Sequence, residues 1–149
     1  VIAGIIWAAL HYVYGVYRMN DISMSPSLKD GDLVFFYRMQ KELKAGDIVI
    51  FEDETGRLTA ERVIAVTGDE VDIDETGLKL NGSYQQEPSI TSKTYRFESE
   101  VSFPVKPGEG EVFVLGDNRE HAKDSRMFGC VGKSAVKGKL IGLFRRRNF

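Results

Sequence analysis

Hydrophobic positions along the chain fall into two regimes. From Val1 to Tyr17 nearly every residue is apolar, His11 being the one clearly polar side chain, with Trp7, Tyr12, Tyr14 and Tyr17 towards the end. Beyond Asn20 the pattern changes to short β-branched and aromatic runs at Val34–Tyr37, Ile48–Phe51, Arg62–Val66, Val71–Ile73 and Glu111–Leu115. Runs this short, bounded by Gly, Asp and Asn, predict strands. Gly31-Asp32, Gly46-Asp47 and Gly68-Asp69 each lead into one of them, and a fourth pair stands at Gly116-Asp117. Glycine supplies the positive φ of a tight turn, and the aspartate is expected to bond the backbone amides that follow. Asn81-Gly82, directly after Leu78-Lys79-Leu80, predicts a two-residue hairpin turn. The stretch near 83–107 is polar, carries Pro88, Pro104 and Pro107, and reads as a looser insertion with one strand near Tyr95-Arg96-Phe97.

The apolar run decides the domain organisation. Its seventeen residues sit at the lower limit for a helix that crosses a bilayer. An aromatic cluster followed by Arg18 is what the membrane–water boundary favours. Residues 1–19 are therefore read as an N-terminal membrane anchor, whole or truncated, and 20–149 as one mostly β domain. A buried core helix is the competing reading of the run. A cleaved signal peptide fits poorly, because no small-x-small site follows it.

Composition narrows the chemistry. A chain of 149 residues is one domain's worth, and 42% hydrophobic residues suffice for a core. A formal net charge of −2 gives no nucleic-acid footprint, and the basic run Arg145-Arg146-Arg147 reads as a solvated tail. The single cysteine, Cys130, excludes an internal disulfide and is read as a small buried hydrophobe. With only His11 and His121 beside it, the chain cannot build a Cys/His zinc cage. Neither a metal nor a cofactor is expected.

Three segments are more specific than a β domain requires: Ser23-Met24-Ser25-Pro26, Glu61 to Asp69, and Gly116 to Arg126. A Ser-rich turn alone is usually only a turn. Asp124 and Arg126 in one tight polar loop suggest a structural ion pair. Together and in order, Ser-Met-x-Pro, Gly-Asp-Ile-Val, Arg-Val-Ile-Ala-Val-x-Gly-Asp and Gly-Asp-Asn-Arg-x-x-x-x-Asp-Ser-Arg resemble bacterial type I signal peptidase. The resemblance covers nearly the whole chain and is weakest across the insertion near 83–107. It implies a signal-peptidase-like antiparallel β-sheet domain, held in the cell membrane by a single N-terminal pass and facing the extracytoplasmic side. It also implies a serine endopeptidase with a lysine general base, acting on the signal peptides of exported preproteins.

Carried over residue by residue, the resemblance makes Ser23 the nucleophile, with Met24 and Pro26 completing its box. Arg62, Asp117, Asn118, Arg119, Asp124, Ser125 and Arg126 match the family's binding and structural positions. The lysine that should precede Arg62 is replaced by Glu61, and the serine that orients it by Ala122. The glycine usual just ahead of the nucleophile is replaced by Asp21 and Ile22. His121 stands where the family often has Asn, and is read as a solvent-facing loop residue. The family's active pair leads us to expect Ser23 and Glu61 within ~2.6–3.2 Å of each other. A serine hydroxyl needs a base, and a glutamate in an apolar site shifts towards its neutral form. The activity is therefore expected to be impaired. The alternative is a non-catalytic binding or assembly factor, such as an accessory protein for pilus assembly, with a pilin subunit as partner.

Overall fold

The computed structural model describes residues 1–40 and 42–146. Helix α1 spans Ile2–Val13 and runs straight into strand β1, Tyr14–Arg18. The remaining strands are β2 (Leu33–Tyr37), β3 (Ile48–Glu52), β4 (Leu58–Val66), β5 (Val71–Ile73), β6 (Leu78–Leu80), β7 (Ser83–Tyr84) and β8 (Glu111–Leu115). After β8 come a single helical turn α2 (Ser125–Phe128), then β9 (Val131–Gly132) and β10 (Val136–Phe144). Seven strands form an antiparallel sheet in the order β1-β2-β10-β3-β4-β8-β9, and β5-β6-β7 form a small second sheet. The mostly β expectation therefore holds.

The apolar N-terminal run divides differently from the expectation. Its helix ends at Val13, and Tyr14–Arg18 is an edge strand paired residue for residue with Tyr37–Leu33. Short apolar runs do not distinguish helix from strand by periodicity, and here sheet pairing took the last five residues. Gly15 is needed in that strand, because a Cβ there would stand 2.2 Å from the Phe36 ring. The 12-residue α1 rises about 18 Å and has no buried residue. Among the described residues, no helix is long and apolar enough to cross a membrane.

The Gly-Asp turns precede β2, β3 and β5 as expected, with φ of +88° at Gly31 and +95° at Gly46 and Gly68. Their hydrogen bonds run backwards, however. Asp32, Asp47 and Asp69 accept from the amides of Lys29, Lys44 and Val66, at 2.8, 2.9 and 3.0 Å. Each aspartate amide returns a bond to the carbonyl of that same residue, closing the four-residue turn from both ends. At the hairpin, Asn81 and Gly82 both adopt positive φ, as a two-residue connection with the strands' twist requires.

Three further expectations are corrected. No strand forms near Tyr95–Phe97; that stretch is irregular backbone anchored by side chains. Strand β4 begins at Leu58, four residues before the expected Arg62. Arg145 is not a solvated tail: its guanidinium forks onto the buried Asp32, with Nε to Oδ1 at 2.8 Å, and holds that carboxyl below its ordinary range. Arg147, the last of the basic run, lies outside the described residues.

The core lies on both faces of the large sheet. Tyr17, Met19, Met24, Leu28, Val34, Phe36, Ile50 and Ala60 form one cluster, which draws the Ser-Met box into the core through Met24. Val49, Phe51, Val63, Val112, Val114 and Val131 form a second. Ile64, Ala65, Phe113 and Leu115 meet Val71, Ile73 and Leu78 of the small sheet in a third.

Candidate functional site

Ser23 sits on the turn that follows β1. Asp21 closes that turn: its Oδ1 accepts the Ser23 amide at 2.9 Å and the Ser23 hydroxyl at 2.7 Å. This is the local geometry that an aspartate two residues ahead of a serine favours. Asp21 was named above only as a departure from the family; the Asp-x-Ser spacing was the signal of its role.

The loop after β8 clamps this turn. The Asn118 amide donates to the Ser23 carbonyl at 2.8 Å, and Asn118 Nδ2 donates to the Ile22 carbonyl at 3.1 Å. The Asp117 amide points at Met24 Sδ, 3.4 Å away. A Cβ on Gly116 would lie 2.7 Å from the Ser23 carbonyl oxygen and 2.3 Å from the Ala122 Cβ. Only glycine permits that approach, and Ala122 is packed against the floor of the turn. Pro26 lies exposed on the turn.

Arginine forks hold the loop itself. Arg62 donates to both oxygens of the buried Asp117, at 2.8 and 2.7 Å, and Ser27 Oγ donates to the same carboxylate. Asp124 caps α2 by accepting the Arg126 amide and takes the Arg126 guanidinium bidentately, at 2.9 and 2.8 Å. Arg126 also donates to the Arg119 and Tyr95 carbonyls and lies 3.9 Å from the centroid of the Phe97 ring. Ser125 Oγ accepts the Val114 amide and ties α2 to β8. Arg119 donates to the Gly116 carbonyl, to Thr94 Oγ1, and bidentately to Glu87 at 2.7 Å to each oxygen. The insertion is thus pinned to the loop at Glu87, Thr94 and Tyr95, partners that no sequence motif marked.

Glu61 lies in β4 opposite Val49, on the same face as Thr59 and Val63. Its side chain is 1% exposed, and Oε2 has no hydrogen-bond partner among the described residues. Burial pushes its carboxyl well above the usual range; Asp124 and Asp21 push the same way and Arg126 opposes them. Glu61 and Ser23 line one cleft of about 490 Å³, together with Asp21, Leu58, His121, Lys123 and Phe128. They share the cleft but are not hydrogen-bonded. The expected Ser23–Glu61 contact is replaced by Ser23–Asp21, because the Asp21 carboxylate is local to the turn. His121 Nδ1 lies 3.2 Å from Asn118 Oδ1, on the exposed rim. Cys130 is half-buried, and burial raises its thiol to about 11, which keeps it unreactive at neutral pH. Among the described residues no cluster of His, Cys, Asp and Glu could hold a metal ion.

Comparison with known proteins places the chain in a family. The chain is 36% identical over 140 residues to signal peptidase I of Bacillus licheniformis, spanning 85% of this chain and 74% of the relative. It is 31% identical over 146 residues to signal peptidase IB of Staphylococcus aureus, spanning 87% and 76%. A crystal structure of a signal peptidase I from Enterococcus faecalis superposes with a TM-score of 0.59 at 32% identity, covering 68% of this chain and 98% of that one. The model of the family described as signal peptidase, peptidase S26, matches residues 1–144, and the chain belongs to that family.

Proposed function

We propose that this chain is a signal-peptidase-like protein of the cell membrane. It receives the signal peptides of exported preproteins in the Ser23–Glu61 cleft and hydrolyses them very slowly or not at all. The carrying observation is that Ser23 Oγ donates to Asp21 while the buried Glu61 carboxyl makes no hydrogen bond to it. A serine becomes a nucleophile when a nearby base takes its proton. The position where the family has lysine carries a carboxyl whose pKa burial raises, so in its neutral form it has no proton-accepting role. Were Glu61 ionised, its charge would stand in the cleft where an oxyanion develops, and a dry site makes that repulsion costly. The membrane placement, with residues 1–19 at the bilayer and the β domain outside, is supported by the exposed apolar side chains of α1. Met24 and the arginine forks would then serve to hold the cleft's shape.

The test is cleavage of a preprotein with Ala at the first and third positions before the cut. The parent should give little product, and Glu61→Lys with Ala122→Ser should raise the rate by orders of magnitude. Ser23→Ala should remove the gain. Rapid Ser23-dependent cleavage by the parent would refute the proposal.

A further inference from the structure

The Ser23–Glu61 cleft has a chemical character of its own. At its base stands a buried carboxyl with an unused oxygen. Asp21 sits at its edge, its Oδ1 occupied by Ser23. Leu58 and Phe128 supply apolar wall. Of the other charged groups lining it, Asp53 is satisfied by the Thr55 and Arg57 amides and faces Arg57 at 3.8 Å, while Glu54, Arg57 and Lys123 lie exposed at the rim. Apolar walls beside a carboxyl with one unpartnered oxygen are, once that carboxyl ionises, the complement of a straight alkyl chain that ends in a cation.

We propose that the cleft binds a primary alkylammonium group delivered from outside the chain, its methylenes between Leu58 and Phe128 and its charge on Glu61 and Asp21. A primary ammonium fits this geometry better than a guanidinium. It is compact, carries three donors and can reach two oxygens from different elements, whereas a guanidinium needs a flat fork. The cleft volume of about 490 Å³ admits a lysine side chain with its backbone. The site goes beyond the functional reading above and does not depend on turnover.

Binding is coupled to a proton. Glu61 must be ionised to pair with the cation, so the carboxyl gives its proton to solvent as the ammonium enters. The charges that act on Glu61 are Asp21 from the Ser23 turn, Asp124 capping α2 and Arg126 within it, while His121, Lys123, Asp53, Glu54 and Arg57 line the same cleft further out. Asp124 and Arg126 are paired with one another, which leaves Asp21 as the unpaired neighbour that a cation would also satisfy. Affinity should therefore rise as pH increases through the raised titration range of Glu61.

The experiment is an amide-resolved NMR titration of the whole chain with Nα-acetyl-lysine N-methylamide, its norleucine analogue, which lacks the ammonium, and n-butylammonium. The lysine amide should shift the amides of residues 21–23 and 121–124, and bind more tightly at the higher pH. The norleucine analogue should bind at least about tenfold more weakly, the weight of one charge-assisted contact. Glu61→Gln, isosteric and freed of the buried charge, should fold and lose the lysine amide's advantage. Tighter binding of the lysine amide than of n-butylammonium would identify a polypeptide lysine as the source, and equal binding a free amine. Equal shifts with norleucine, or an unchanged affinity in Glu61→Gln, would overturn the proposal. Because no cleavage is measured, that failure would be distinct from failure of the functional reading.

Discussion

Replacing Asp124 with alanine tests how the site is held. Asp124 is fully buried and accepts from four donors: the Gly116 amide and the amide, Nε and Nη2 of Arg126. Truncation deprives all four at once and leaves a guanidinium buried against two carbonyls and a phenyl ring. Breaking a buried pair from one side costs ~3–5 kcal/mol, within which the lost helix cap accounts for ~1 kcal/mol. For a chain of this size that loss lowers the melting midpoint by roughly 6–20 °C. Asp124→Asn keeps one acceptor and the cap, and should fall between parent and alanine variant. The assay is thermal unfolding followed by circular dichroism, with Arg126→Ala and the double variant completing a cycle. The double variant should be less destabilised than the sum of the singles, because the second removal takes away an already orphaned charge. A drop under about 2 °C for Asp124→Ala, or strict additivity, would refute the assigned role.

Glu61→Gln should alter the pH profile of stability. Glu61 holds its proton more tightly folded than unfolded, so the contribution of its neutral form is complete below the unfolded value and lost as pH rises through the folded one. The variant should gain on the parent as pH rises above the ordinary carboxylate range in thermal melts, and parallel profiles would contradict this. Gly116→Ala should cost ~1–3 kcal/mol by overpacking against Ala122 and the Ser23 carbonyl, and should perturb the Ser23 amide resonance. Arg119→Lys cannot fork onto Glu87 while keeping the Gly116 carbonyl and Thr94, so limited proteolysis should cut within 83–107 faster than in the parent. Deleting residues 2–13 should reduce flotation with vesicles, and unchanged partition would exclude a membrane role for α1.

What the sequence made legible was local. The Gly-Asp turns and the Asn81-Gly82 hairpin depend on residues within three positions of each other, and both were found. The Asp124–Arg126 pairing was suggested by the same kind of short spacing. Strand β10 was missed because Gly138 and Gly142 interrupt its alternation, and its register shifts against both β2 and β3. Strand β1 was hidden inside a run whose apolar character continues from helix to strand. In the site, the family motifs indicated which residues would gather, since Ser23 and Glu61 do line one cleft. They did not indicate where the Ser23 hydroxyl would point, because Asp21 competes for it from two residues away and a contact across 38 positions must be built by the whole sheet.

The place of β10 has a consequence for how the molecule comes into being. It is the last strand in sequence, yet it lies between β2 and β3, which do not pair with each other. A chain emerging N-terminus first can form β1–β2 as one ribbon and β3–β4–β8 as another, but the two remain separate ladders until Val136–Phe144 slots between them. Ser23 follows the first ribbon and Glu61 belongs to the second. Pairing at this sequence distance is slow, and it is completed only when Val136–Phe144 is available. A chain in which Val136–Phe144 has not yet docked would therefore present two open sheet edges, at β2 and β3, with the Ser23 turn tied to the second ribbon through the loop after β8.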